Sequence, residues 1–78
     1  MEELVRYIAT SLVGSDDVKI EEKKESDKVS VLTIYAKKDD MGKIIGRNGK
    51  VANSIRTIVK SVSLKSGIRY IVKINELV

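Results

Sequence analysis

The stretch Gly42-Lys43-Ile44-Ile45-Gly46-Arg47-Asn48-Gly49-Lys50 decides how the rest of this chain is read. It holds three glycines, three cations and two adjacent isoleucines. Gly46 and Gly49 frame a polar tip, Arg47-Asn48, and the residues on either side repeat with helical spacing. Upstream, Met41, Ile44 and Ile45 give the inward side of a short helix that Gly46 ends. Downstream, Val51, Ala52, Ile55, Ile58, Val59 and Val62 fall at i, i+1, i+4, i+7, i+8 and i+11, one face of a long helix. Lys50, Asn53, Arg56, Thr57 and Lys60 take its other sides, and Gly67 is placed to cap it. A glycine-framed, cation-rich tip opening a helix is a site for an anion.

Spacing tests which anion site it is. A P-loop needs a glycine five residues before a Gly-Lys-Ser/Thr, but Gly49-Lys50 is followed by Val51 and the earlier position is Ile44. The dinucleotide fingerprint needs glycines two and then three residues apart after a strand, whereas Gly42, Gly46 and Gly49 are spaced four and three. Both patterns fail. A helix-turn-helix tolerates the spacing, although Gly-Arg-Asn-Gly is an unusually naked turn for one.

Toward the N-terminus, Met1, Leu4, Val5, Ile8, Leu12 and Val13 recur with the helical period, and Gly14 supplies the left-handed residue that stops the helix. Ser15-Asp16-Asp17 reads as a loop. From Val18 the period becomes two: Val18 and Ile20 alternate with Lys19, Glu21 and Lys23, and Glu25-Ser26-Asp27-Lys28 forms a polar turn. Residues 29–36 return as a second strand, with Leu32, Ile34 and Ala36 on one face and Val31, Thr33 and Tyr35 on the other. A strand apolar on both sides is either central in its sheet or covered by a partner. Asp39-Asp40 then precedes the short helix, where a carboxylate caps free N–H groups and complements the helix dipole. Residues 68–74 close the pattern as a strand with Tyr70, Val72 and Ile74 on one face. The order is α-β-β-α-α-β.

Composition narrows the function. A chain of 78 residues is expected to form one domain, residues 1–78, with no room for a deep catalytic cavity. The net charge is +4, but from residue 41 onward eight cations face a single acid, Glu76, which makes that half +7 and leaves −3 for the first. With no cysteine and no histidine there are no disulfides, no thiolate or imidazole metal ligands and no triad that needs either residue. No enzymatic role, metal or cofactor is expected. No apolar run approaches the roughly 20 residues of a membrane span. Met1-Glu2-Glu3 lacks the cationic start of a signal peptide, so no membrane partner and a cytoplasmic location are expected.

The run from Ile44 to Ile55, with Ile45-Gly46-Arg47-Asn48-Gly49 at its centre and Ala52 and Ile55 at the following apolar positions, resembles the Ile-Gly-x-x-Gly core motif of KH domains. The element order resembles the bacterial, type II arrangement over essentially the whole chain, and the small stand-alone bacterial KH proteins in particular. The resemblance implies an α+β fold, a three-stranded sheet with helices packed on one face, and binding of single-stranded RNA with low sequence specificity, as an RNA chaperone or post-transcriptional regulator. It places the backbone of the RNA at Lys43, Ile45, Gly46, Arg47, Asn48, Gly49, Lys50, Asn53 and Ser54. Bases would lie in a groove between the two helices and the neighbouring strand, on a floor of Ile45, Ile34 and Ile55. With no Phe or Trp and only Tyr7, Tyr35 and Tyr70, an aromatic stacking platform is not expected. The same resemblance implies self-pairing, or pairing with a larger KH-containing protein. A dimerisation or scaffold module with secondary RNA binding is the alternative, motivated by the strand 29–36 and by Tyr35 and Tyr70.

Overall fold

The computed structural model describes residues 1–14 and 16–77; the expected loop residue Ser15 lies outside the described residues. The first helix, α1 (Glu2–Val13), buries Val5, Ala9 and Val13. Glu2 and Glu3 in its first turn complement the dipole. Gly14 ends it at φ 80°, donating its N–H to the Thr10 carbonyl.

Strand β1 (Val18–Ser26) pairs antiparallel with β2 (Val29–Ala36). The first strand runs further into the expected polar turn, because a register shift between Lys24 and Ser26 lets pairing continue to Ser26 opposite Val29. The Ser26 hydroxyl accepts the Lys28 N–H at 3.3 Å and closes the hairpin. Strand β3 (Arg69–Glu76) joins the other side of β2 in parallel, giving the order β1-β2-β3. Parallel neighbours need a long crossover, and the two remaining helices supply it. The doubly apolar strand is therefore the central one.

Register assigns the faces. Val18 and Ile20 of β1, Leu32, Ile34 and Ala36 of β2 and Val72 of β3 join Val5, Ala9 and Val13 of α1 in one core. Helix α2 (Met41–Ile45) adds Ile44 to it, and α3 (Lys50–Ser63) adds Ile55 and Val59. Helices thus cover one face of a three-stranded sheet, as expected. Each fully buried aliphatic side chain contributes roughly 1.5–3 kcal/mol. On the open face Val31 is nonetheless buried, with Lys23 and Ile71 in register on either side of it.

Two expectations change. Asp40 occupies the position before α2 but makes no capping hydrogen bond. Residues Lys38–Asp40 already form a 3-10 turn, and the Asp40 and Met41 N–H groups donate to the Lys37 carbonyl. A capping carboxylate needs extended backbone at its own residue, and Asp40 is helical at φ −97°, ψ −12°. On α3, Ile58 and Val62 are 42% and 59% exposed rather than inward, while Ser63 is buried. Helix α3 passes into a 3-10 turn, Leu64–Ser66, and Gly67 at φ 73° ends it as expected. Among the described residues no helix is long and apolar enough to cross a membrane.

Candidate nucleic-acid interface

The loop between α2 and α3 holds three positive φ angles within four residues: Gly46 at φ 75°, ψ 176°, Asn48 at 57°, 27° and Gly49 at 75°, 13°. Asparagine is among the few side chains that tolerate this region. Hydrogen bonds fix the shape: the Gly46 N–H donates to Gly42 O at 2.9 Å and the Gly49 N–H to Gly46 O at 3.3 Å. Arg47–Gly49 forms a single 3-10 turn that runs into α3, with the Lys50 N–H donating to Arg47 O.

The two glycines have different reasons to be there. A Cβ at Gly46 would lie 2.8 Å from the Val51 nitrogen and collide with the Val51 side chain, so this glycine lets the loop fold against the first turn of α3. A Cβ at Gly49 would meet nothing within 4 Å. Keeping a side chain out of an incoming ligand's way is therefore a role open only to Gly49.

Arg47 and Asn48 are exposed, and neither side chain makes a hydrogen bond or ion pair among the described residues. Lys50 is also exposed and, among the described residues, without an ion pair, whereas the Lys43 ammonium lies 3.7 Å from Asp40 Oδ1. The loop lies at the N-terminal end of α3, where the helix dipole favours negative charge. In the next turn, Ser54 Oγ donates to Lys50 O at 2.9 Å, which leaves its lone pairs outward. Asn53 Oδ1 accepts from Arg56 Nη1 at 3.2 Å, which leaves its amide N–H groups free to donate. The loop, Lys43, Lys50, Asn53 and Ser54 are thus brought to one end of α3.

The expected apolar floor is largely absent. Ile34 and Ile55 are 0% and 2% exposed and belong to the core, so neither presents a surface to a base. Ile45 is half-buried and outside that core.

The groove expected beside the helices and a neighbouring strand opens between α3 and the edge strand β3, with a volume of about 600 Å³. Leu64, Ile68 and Tyr70 give it apolar lining, and Arg56, Lys60 and Arg69 give it charge with no carboxylate among the described residues. Arg56 spans it: Nε and Nη2 donate to the Val72 carbonyl at 3.3 and 3.2 Å. Helical spacing places Arg56 on an outer side of α3, but its bond to β3 is not legible there. The available signal was its position three residues after Asn53 and four before Lys60, a polar line along one flank.

Comparison with known proteins bears on the whole chain. Residues 2–74 match the family described as "KhpA/KhpB, KH domain". The chain is similar to the RNA-binding protein KhpA of Clostridium perfringens, 39% identical over 75 residues, covering 95% of this chain and 99% of that protein. It is also similar to the RNA-binding protein KhpA of Caldanaerobacter subterraneus subsp. tengcongensis, 38% identical over 74 residues, with 95% and 99% covered.

Proposed function

This chain belongs to the KhpA/KhpB KH-domain family, and on that premise we propose that it is an RNA-binding protein that clamps single-stranded RNA by its backbone at Gly46-Arg47-Asn48-Gly49. The observation that carries the reading is the loop itself: positive-φ backbone, free Arg47 and Asn48 side chains, and the start of a 14-residue helix at one place. A KH loop of this kind clamps about four nucleotides.

In this reading a phosphate sits over Gly49, where no side chain intervenes, and takes hydrogen bonds from the tip and from the first turn of α3. Arg47 offers a planar, always charged fork to a second phosphate, and Asn48 adds a neutral donor. Lys50 contributes unpaired charge, and Lys43 contributes charge once it leaves Asp40. Asn53 and Ser54 reach sugar or phosphate oxygens, and Ile45 gives apolar contact to a ribose or base. Contacts of this type position RNA with little regard to sequence, which suits an RNA chaperone or post-transcriptional regulator. In this reading the chain is a single KH domain that binds rather than catalyses, in the cytoplasm.

The test is the double variant Arg47→Asp/Asn48→Asp. Because both side chains are exposed and unpartnered, the folded state and its thermal midpoint should be kept, while affinity for single-stranded RNA falls by at least about tenfold. A folded double variant that binds as tightly as its parent contradicts the clamp.

A second reading has its own observation. Ile58 and Val62 are exposed one turn apart on α3, on the flank away from the β3 groove, and suit self-pairing or pairing with another KH-containing protein. Such pairing leaves the groove and loop open, so the two readings are compatible. The strand 29–36, expected to motivate it, supports it less: Tyr35 is half-buried on the open sheet face and Tyr70 packs against the core. Sedimentation at high concentration tests it, and a strict monomer with no partner-dependent shift counts against it.

A further inference from the structure

We propose that Arg56 is a positioning residue of the clamp: it ties Asn53 to the edge strand β3 and turns the Asn53 amide so that its N–H groups, rather than its carbonyl, face the RNA backbone. The inference rests on the RNA-binding reading and gives Arg56, which has no part in that reading, a role exerted through Asn53.

A primary amide has a donor end and an acceptor end, and half a turn about its last side-chain bond exchanges them. A phosphodiester oxygen only accepts, so an Asn53 presenting its carbonyl would oppose the backbone and one presenting its N–H groups would bind it. Asn53 stands in the first turn of α3, next to the loop, and is exposed, so nothing intrinsic favours either orientation. Arg56 supplies the bias. It lies three residues further along the same side of the helix, with Nη1 3.2 Å from Asn53 Oδ1. A guanidinium has five N–H donors and no acceptor, so a reversed amide would set N–H against N–H and lose this bond. With its oxygen committed to Arg56, the amide keeps its nitrogen end for a ligand.

The bias needs an arginine that is itself fixed. Nε and Nη2 of Arg56 both donate to Val72 O, at 3.3 and 3.2 Å. Three of its five N–H groups thus hold two acceptors on different elements, a side chain of α3 and the backbone of β3. The planar head is restrained from both sides, and the Asn53 amide is ordered before RNA arrives, so less rotamer freedom is lost on binding. Lysine cannot reproduce this, because it carries its charge on one compact nitrogen without the fork that reaches both acceptors.

Two measurements test the role. In the free protein the Asn53 side-chain amide should have the heteronuclear NOE of a fixed group, and in Arg56→Lys that of a mobile one; a mobile amide in the parent overturns the inference, whatever the RNA does. Fluorescence anisotropy with a short 5′-labelled single-stranded RNA of mixed sequence then closes a double-mutant cycle. Arg56→Lys and Asn53→Ala should each weaken binding by about threefold to tenfold, and the double variant should bind no worse than Asn53→Ala alone. Both positions are exposed, and lysine and alanine are good helix formers, so the variants should keep the fold and the thermal midpoint of the parent. Losses that multiply in the double variant would mean that Arg56 acts without Asn53, and overturn the positioning role. A single variant that binds as tightly as the parent overturns it too. Each of these results leaves the RNA reading standing, whereas a parent that binds no RNA overturns that reading and the inference with it.

Discussion

Gly46 and Gly49 share φ 75° yet differ in what surrounds them, and that difference is measurable. At Gly49 an alanine carries only the strain of the left-handed region, about 1–2 kcal/mol, since its Cβ enters open space. At Gly46 the same substitution adds a collision with Val51 to backbone geometry that is almost exclusive to glycine, so the loss should reach roughly 2–4 kcal/mol. Denaturant unfolding of Gly46→Ala and Gly49→Ala should rank them in that order; equal losses would contradict the assignment of separate roles. RNA affinity should separate them the other way, with Gly49→Ala remaining folded and binding weakly because its new methyl group stands where the phosphate is proposed to sit. The need for glycine at both positions was legible from the sequence. The partner that enforces it at Gly46 was not, because Val51 looked like any other apolar residue of the helix.

At the scale of the element, α3 separates what periodicity predicts from what the fold delivers. Helical spacing put Ile55, Ile58, Val59 and Val62 inward together, and the burial divides them. The strip that meets the sheet runs through Ala52, Ile55, Val59 and Ser63. Burial then falls off along one flank, from Val51 half-buried to Ile58 and Val62 exposed, because α2 has only five residues to lay against it. Ile55→Ala should cost about 2–5 kcal/mol, whereas Ile58→Asp should change the monomer's stability by no more than about 0.5 kcal/mol. Equilibrium unfolding of the two variants checks the contrast, and a large loss in Ile58→Asp at dilution would place that side chain in the core after all. Local signals served the helices and strands well, since each reads within a few residues: Gly14, the alternation from Val18 and the run 29–36 all sit where expected. Asp40 failed as a cap because the helical run begins before it, at Lys38, a turn that no hydrophobic period marks. The bond from Arg56 to Val72 spans 16 residues and depends on how β3 docks beside α3, which is tertiary information that spacing does not carry.

At the scale of the whole molecule, the charge asymmetry becomes a spatial one. The part of the chain from residue 41 onward, with eight cations and Glu76, builds the loop, α3 and β3, while the acidic surplus belongs to the part that builds α1 and the hairpin. Parallel docking of β3 on β2 brings Arg69 into the same groove as Arg56 and Lys60, so the cations beside α3 reinforce one another. Such a surface attracts a polyanion at long range and releases counterions on contact. The central claim, a clamp on the RNA backbone, therefore has a direct measurement: the affinity of the full chain for a short single-stranded RNA across a series of salt concentrations. If about two or three phosphates are neutralised, log K should fall against log salt with a slope of roughly −1.4 to −2.1. A slope near zero, with RNA still bound, would contradict it.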